Sequence, residues 1–245
     1  MKTSKLQRRK LLGMSSAKTQ KGEKLGYLTG ILYLAPAKIS GFEVCPNRSK
    51  GCTKACLYVS GRGAFNSVQT ARINKTKYFR ENNAEFMYNI VKDIESLIRK
   101  AKRENMIPCI RLNGTSDLPI ENFKYNGARI LDLFPDVKFY DYTKSYKRMA
   151  QYLNGGLPSN YQLTFSLSED NKKQSFDILE RGGNIAAVFS DLDKAITDGW
   201  NGYKVINADK HDLRFLDEKN VICGLSFKGT KANKQQGIKE GFVLN

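Results

Sequence analysis

The sequence predicts an α/β fold in which a parallel sheet closes into a partial or complete (β/α) barrel, preceded by a basic N-terminal extension. Short β-type apolar runs alternate with helix-compatible segments of about 8–15 residues, the pattern of right-handed βαβ units. One long amphipathic helix is unmistakable, because Phe86, Ile90, Ile94, Leu97 and Ile98 recur at helical spacing. No Gly-rich phosphate loop of the dinucleotide or P-loop type follows any of the runs, and their number favours a barrel over an open doubly wound sheet.

Taken in order, residues 1–25 are rich in Lys, Arg, Ser, Thr and Gln with few apolar positions, and read as a flexible basic arm. Residues 26–245 read as a single domain that includes a cysteine loop at 45–56. It opens with GYLTGILYLAPA (26–37), a strand or strand pair closed by Pro36. The amphipathic helix spans about 84–104. Apolar β-type runs follow at 107–112, 137–142, 161–165, 184–189, 203–206 and 221–225. Helix-compatible stretches lie between them at 120–134, 145–153, 172–180 and 191–196. Gly-Gly pairs at 155–156 and 182–183 sit where two of these helices should stop.

The formal net charge of +17 is unevenly placed. Residues 1–80 carry 17 Lys/Arg and 2 Asp/Glu, whereas residues 81–245 carry 24 and 22. A basic third on a near-neutral body suits a polyanion partner, since clustered cations release counterions from phosphate backbones. It also serves plain solubility. The basic segment has no apolar face to insert into a bilayer, and no apolar run reaches the roughly 18–20 residues of a membrane span. The first twenty residues lack the apolar region of a secretory signal, so the expected location is the cytoplasm and no membrane partner is expected.

In a reducing compartment five cysteines argue against disulfides. Cys45, Cys52 and Cys56 lie within twelve residues as C-x(6)-C-x(3)-C, threaded with Pro46, Gly51 and basic residues. Three thiols at that spacing can converge on one centre, and neighbouring cations or a metal depress thiol pKa. A structural zinc site normally takes four ligands in two pairs, and no second pair is present. An iron–sulfur cluster with one open iron, a three-ligand zinc site and unligated thiols all remain open. Cys109 and Cys223 fall within β-type runs and read as small buried hydrophobes.

In a parallel barrel, functional side chains project from the C-terminal strand ends. Those ends are polar here: RLNGTSD (111–117), YDYTK (140–144), FSLSE (165–169), NADKHDLR (207–214) and LSFKG (225–229). Any single Ser, Thr or Asp among them is as well explained as a helix cap; five polar ends in register suggest a shared pocket. Asp117, Asp141, Lys144, Glu169, Asp209 and His211 are the candidate catalytic groups. His211, the one histidine, is suited to general acid–base work between Asp209 and Asp212, or is simply structural. The stretch 60–79 interleaves Arg62, Arg72, Lys75 and Lys77 with Phe65, Tyr78 and Phe79. Such a mix contacts phosphates and stacks bases, or forms a solvated helix whose aromatics face the core.

The CP…C…AC loop, together with RLNGTSDL, YDYTK and FSLSE, resembles a family of phage- and plasmid-encoded proteins known by a gene-product number. More distantly, RLNGTSDL, FYDYTK and FSLSEDN are similar in order to the strand ends that follow the three-cysteine loop of proteins related to radical S-adenosylmethionine enzymes and spore photoproduct lyase. Those enzymes use C-x(3)-C-x(2)-C, so the spacing here is longer, and Tyr58 follows the last cysteine instead of preceding it. The resemblance implies a partial (β/α) barrel with a four-iron, four-sulfur cluster on Cys45, Cys52 and Cys56. S-adenosylmethionine would bind the open iron, oriented by Asn113, Thr115, Ser116, Ser166 and Ser168. The leading expectation is a mobile-element metalloenzyme acting on nucleic acid or a nucleotide. Its rivals are a zinc- or divalent-metal-dependent nuclease or base-modifying enzyme, and a non-catalytic DNA-binding replication or regulatory protein.

Overall fold

The computed structural model describes residues 8–245. Strand β1 (Leu12–Gly13) and helix α1 (Ala17–Glu23) precede β2 (Tyr27–Leu32), α2 (Lys50–Lys54), α3 (Asn66–Glu81), α4 (Asn83–Arg103) and β3 (Ile107–Arg111). A small hairpin, β4 (Lys124–Tyr125) and β5 (Ala128–Arg129), leads into α5 (Ile130–Leu133). The alternation then runs β6 (Lys138–Thr143), α6 (Tyr146–Leu153), β7 (Tyr161–Ser166), α7 (Lys172–Glu180), β8 (Ile185–Phe189), α8 (Leu192–Asp198), β9 (Val205–Asn207) and β10 (Ile222–Ser226). Helix α9 (Lys231–Lys239) and strand β11 (Val243–Leu244) complete the order.

The central sheet has nine strands in the order β1-β2-β3-β6-β7-β8-β10-β9, with β11 joined to β8. Every pairing in it is parallel except that of β1 with β2. Parallel neighbours force crossovers, and helices supply most of them; the one between β9 and β10 is the 208–221 segment, with only a 3-10 turn at Arg214–Leu216. The path begins at β1 and ends at β9, and among the described residues these two edges do not pair, so a completely closed barrel is not formed. Strand β8 meets β7 only at Ile185 and Ala186, then runs on to pair Val188 and Phe189 with β11.

The main core lies between the sheet and the helices. Helix α4 turns Phe86, Ile90, Ile94 and Leu97 inward, as their spacing predicts. It packs so closely on β2 that a Cβ at Gly30 would fall 2.8 Å from a Leu97 methyl. The opposite face of the sheet is covered by the segment after β9. Leu213 packs with Cys109 and Tyr140, and Phe215 makes edge contacts with Tyr27 and Tyr140 at 5.3 and 5.6 Å. Cys109 and Cys223 are buried free thiols, as read from the sequence. Gly155 and Gly182, at φ of 73° and 80°, end α6 and α7.

Two expectations need correction. The stretch 120–134 is not one helix: Asn126 and Gly127 both have positive φ (49° and 84°) and form the two-residue turn of the β4–β5 hairpin. The basic arm is built into the fold from residue 8 onward. Asp93 on α4 accepts hydrogen bonds from the Leu11 and Leu12 amides (2.6 and 2.8 Å) and pairs with Arg8. Ser16 caps α1 by accepting from the Thr19 amide at 3.2 Å, while Thr19 Oγ1 accepts from the Ser16 amide at 2.8 Å. Residues 1–7 of the expected arm lie outside the described residues. Finally, α9 and β11 were not foreseen. No described helix is long and apolar enough to cross a membrane.

Candidate functional site

A cavity of about 320 Å³ opens at the C-terminal ends of the parallel strands. Its first wall is the cysteine loop, for Cys45, Cys52 and Cys56 all line it. Two carboxylates hold that loop. Glu43 accepts from the Cys45 amide at 2.7 Å and pairs with Arg48, and Glu169 accepts from Ser49 Oγ at 2.8 Å and from the Gly51 amide at 2.5 Å. A side chain at Gly51 would strike Phe242 and both Glu169 oxygens, so glycine is what allows this clamp. The Ala37 amide points at Cys45 Sγ (3.4 Å), which in turn faces the Thr115 carbonyl at 3.7 Å.

Burial pushes the Cys45 thiol up to about 12 and raises Cys56 as well, with the neighbouring cysteines adding to the shift. Lys144 and Arg72 act on Cys56 in the opposite sense but do not win. The sequence argument that nearby cations depress the thiols therefore fails for these two, because desolvation outweighs the charges. Metal uptake there must displace protons. Among the described residues no group of three or more His, Cys, Asp or Glu is gathered so as to hold a metal ion.

The second wall is the turn after β3, and it is closed upon itself. Asn113 donates through Nδ2 to the Leu118 carbonyl (2.9 Å), while its Oδ1 accepts from Ser116 Oγ (2.8 Å) and the Leu118 amide (2.9 Å). Thr115 Oγ1 donates to the Leu34 carbonyl at 2.5 Å. Asp117 accepts from Thr143 Oγ1, the Lys144 amide and Arg148 Nη1, at 2.8, 2.9 and 2.8 Å. Beneath the turn, Asp141 accepts from the Asn113 amide at 2.8 Å and is held up to about 7 by burial.

The third wall comes from β6 and β7. Lys144 Nζ donates to Ser166 Oγ at 2.8 Å and lies 5.7 Å from the Phe242 ring centre. The fourth wall joins α1 to the segments after β9 and β10. Asp212 is bonded by Arg111 Nη1 at 2.7 Å and Lys18 Nζ at 3.2 Å, and Asp209 by Lys228 Nζ at 2.7 Å. Burial opposes the Asp212 charge, but Arg111 and Lys18 hold its carboxyl well below the usual range. His211 is lowered by burial and by Arg214. Because Arg214 can only donate, its 3.3 Å contact makes His211 Nδ1 an acceptor and leaves the ring hydrogen on Nε2.

Of the candidates named from sequence, the cavity gathers the three cysteines, Asn113, Thr115, Ser116, Asp117, Lys144, Ser166, Asp209 and His211. Asp141, Glu169 and Ser168 lie off its lining and support the turns behind it; Ser168 meets Asn171 through its backbone amide at 2.8 Å. The proposed phosphate contacts divide. Arg72 lies over the Tyr33 ring at 4.9 Å with its Nη1 lacking a hydrogen-bond partner among the described residues, while Lys75 is engaged by the Leu11 carbonyl at 2.7 Å. Burial lowers Lys75 to about 8. Arg62 and Lys77 are exposed, while Tyr78 and Phe79 belong to the core. Sequence reasoning missed Lys18, Lys21 and Phe242, which also line the cavity. Lys18 and Lys21 were hidden in a segment read as mobile, and nothing local to Phe242 signals its position.

No curated protein and no solved structure matches this chain. A family model described as gene product 88 matches residues 4–243, in keeping with the resemblance to a phage gene-product family. The chain belongs to the gene product 88 family.

Proposed function

We propose that this protein is an iron–sulfur enzyme acting on a nucleotide or on nucleic acid, with its reaction chamber at the mouth of a partial (β/α) barrel. One observation carries the reading: three free thiols of a single loop line the same cavity as the polar ends of β3, β6, β7, β9 and β10. Cys45, Cys52 and Cys56 would hold the cluster, since thiolates are the ligands such clusters take and all three are free thiols on one cavity wall. Bound there with S-adenosylmethionine, it would supply one-electron chemistry that no side chain provides.

The protein's own part is holding and orienting. Glu43 and Glu169 fix the cysteine loop, and the closed Asn113–Leu118 turn keeps backbone and hydroxyl groups in one arrangement against the cavity. Lys144 and Ser166 form a charged, donor-rich pair opposite the thiols. His211, neutral and bearing its hydrogen on Nε2, serves as a hydrogen-bond donor before it can serve as a base. The acids expected to bind a divalent metal are each engaged by protein donors, which disfavours the nuclease reading: Asp117 by Arg148, Asp141 by Asn113, Glu169 by Gly51 and Asp209 by Lys228.

Anaerobic purification tests the proposal. A brown protein with close to four iron and four sulfide per chain is expected, and Cys52→Ser should lose the colour. A colourless protein carrying stoichiometric zinc would overturn it.

A further inference from the structure

The fourth wall carries a charge imbalance that the thiol site does not explain. Asp209 and Asp212 flank His211, and four cations surround them. Arg111 and Lys18 take the two oxygens of Asp212. Lys228 takes Asp209 Oδ1, and Lys21 Nζ donates to the Asp209 main-chain carbonyl at 2.5 Å. All four cations line the cavity. Lys21 thus has a carbonyl in place of a carboxylate; four cations against Asp209 and Asp212 leave two positive charges over when Asp141, 3.9 Å from Arg111 Nε, takes the protonated form that burial favours.

Three details show that these charges act on one another and have capacity left for a ligand. Arg111 is 7% exposed and stacks on Tyr142 at 4.6 Å; its Nε–H has no hydrogen-bond partner among the described residues, the Asp141 carboxyl lying beyond bonding reach at 3.9 Å. A buried donor without a partner costs about 1–3 kcal/mol unless something accepts from it. Lys18 is lowered first by burial; Asp212 opposes the shift, and the positive charges of Arg111 and Lys228 add to it. Lys21 and Lys228 are exposed at the cavity edge, where a ligand entering from solvent meets them. Helix α1, capped by Ser16 and packed through Gly22 beside Leu213, brings Lys18 and Lys21 to the wall.

We propose that this wall is a phosphate subsite, seating the phosphate of a single nucleotide against Lys18, Lys21, Arg111 and Lys228. The two surplus positive charges match the dianion of a phosphate monoester. A cavity of about 320 Å³ is at the small end of ligand pockets, which suits one nucleotide, free or turned out of a strand, and no larger segment of polymer. This inference rests on the reading of the cavity as the reaction chamber and names its substrate class, but it does not need the cluster to be present.

Calorimetric titration of the purified protein at low salt with adenosine 5′-monophosphate and with adenosine tests it. The monophosphate should bind at least tenfold tighter than adenosine. Lys21→Ala and Lys228→Ala, both exposed positions where the fold is not at risk, should each weaken the monophosphate about tenfold and leave adenosine unchanged. Lys173→Ala, exposed on α7, should bind as the wild type does. Displacement of the monophosphate by a single-stranded oligonucleotide would assign the subsite to a polymer phosphate; displacement by inorganic phosphate without competition from the oligonucleotide would assign it to a small molecule. Equal binding of monophosphate and adenosine, or wild-type affinity in both variants, would overturn the subsite. Iron analysis of the same samples separates the two ideas. Iron-loaded protein that ignores phosphate overturns only the subsite, and iron-free protein that discriminates by phosphate overturns only the cluster.

Discussion

Replacing Arg148 with Met should cost a large part of the protein's stability, and the ion network explains why. The Arg148 guanidinium grips Glu121 with two bonds, Nε to Oε1 at 2.7 Å and Nη2 to Oε2 at 2.8 Å. It also donates to Asp117 at 2.8 Å, to Thr143 Oγ1 at 3.1 Å and to Tyr161 Oη at 3.0 Å. Glu121 is 5% exposed, so Arg148→Met strands a buried carboxylate with no other ion-pair partner among the described residues. Breaking a buried pair from one side costs about 3–5 kcal/mol, because the remaining charge loses its compensation. For a chain of this size each kcal/mol moves Tm by about 2–4 °C, so a fall of roughly 6–20 °C is expected. The double variant Arg148→Met/Glu121→Leu removes both charges and should recover most of the loss, since apolar replacement of a whole buried pair is often neutral. Asp117 keeps two of its three donors in that variant. Urea and thermal unfolding read both proteins. A single variant within about 1 kcal/mol of wild type, or a double variant no better than the single, would refute the reasoning.

Two further stability predictions follow from the turn after β3. Burial holds the Asp141 carboxyl up to about 7, so folding favours its protonated form. That stability is complete below the unfolded value near about 4 and is lost as pH rises through about 7, on the order of 4 kcal/mol in all. Wild type should therefore lose stability relative to Asp141→Asn between those pH values in urea titrations, and parallel profiles would count against it. Gly114→Ala places a Cβ 2.7 Å from the Leu32 carbonyl oxygen and 2.8 Å from the Ile31 Cγ2. Backbone cannot yield as a flexible side chain does, so about 1–3 kcal/mol should be lost. An unchanged Tm would show that the strand and turn are not so tightly apposed.

How much the sequence disclosed depended on whether each signal was local. The α4 pattern, the apolar runs and the glycine stops are read within one turn or one strand, and each reappears in the fold within a residue or two. The hairpin within 120–134 was legible in principle from Asn126-Gly127, but apolar spacing suggested helix and the turn dipeptide decided otherwise. The arm escaped notice because its anchor, Asp93, lies more than eighty positions along the chain. Polar strand ends were identified as a class. Their division into lining groups such as Asp117 and supporting groups such as Asp141 and Glu169 depended on which neighbours bonded them.

By itself the sequence determined an α/β chain with a parallel sheet, three cysteines on one loop, and polar residues after nearly every strand, because periodicity and spacing are properties of short stretches. Tertiary structure decided the rest. Among the described residues it left β1 and β9 unpaired with each other, brought Lys18 and Lys21 from the basic segment to the cavity, and raised the Cys45 and Cys56 thiols through burial. Charge placement and desolvation depend on which distant segments meet, and only the packed chain specifies that.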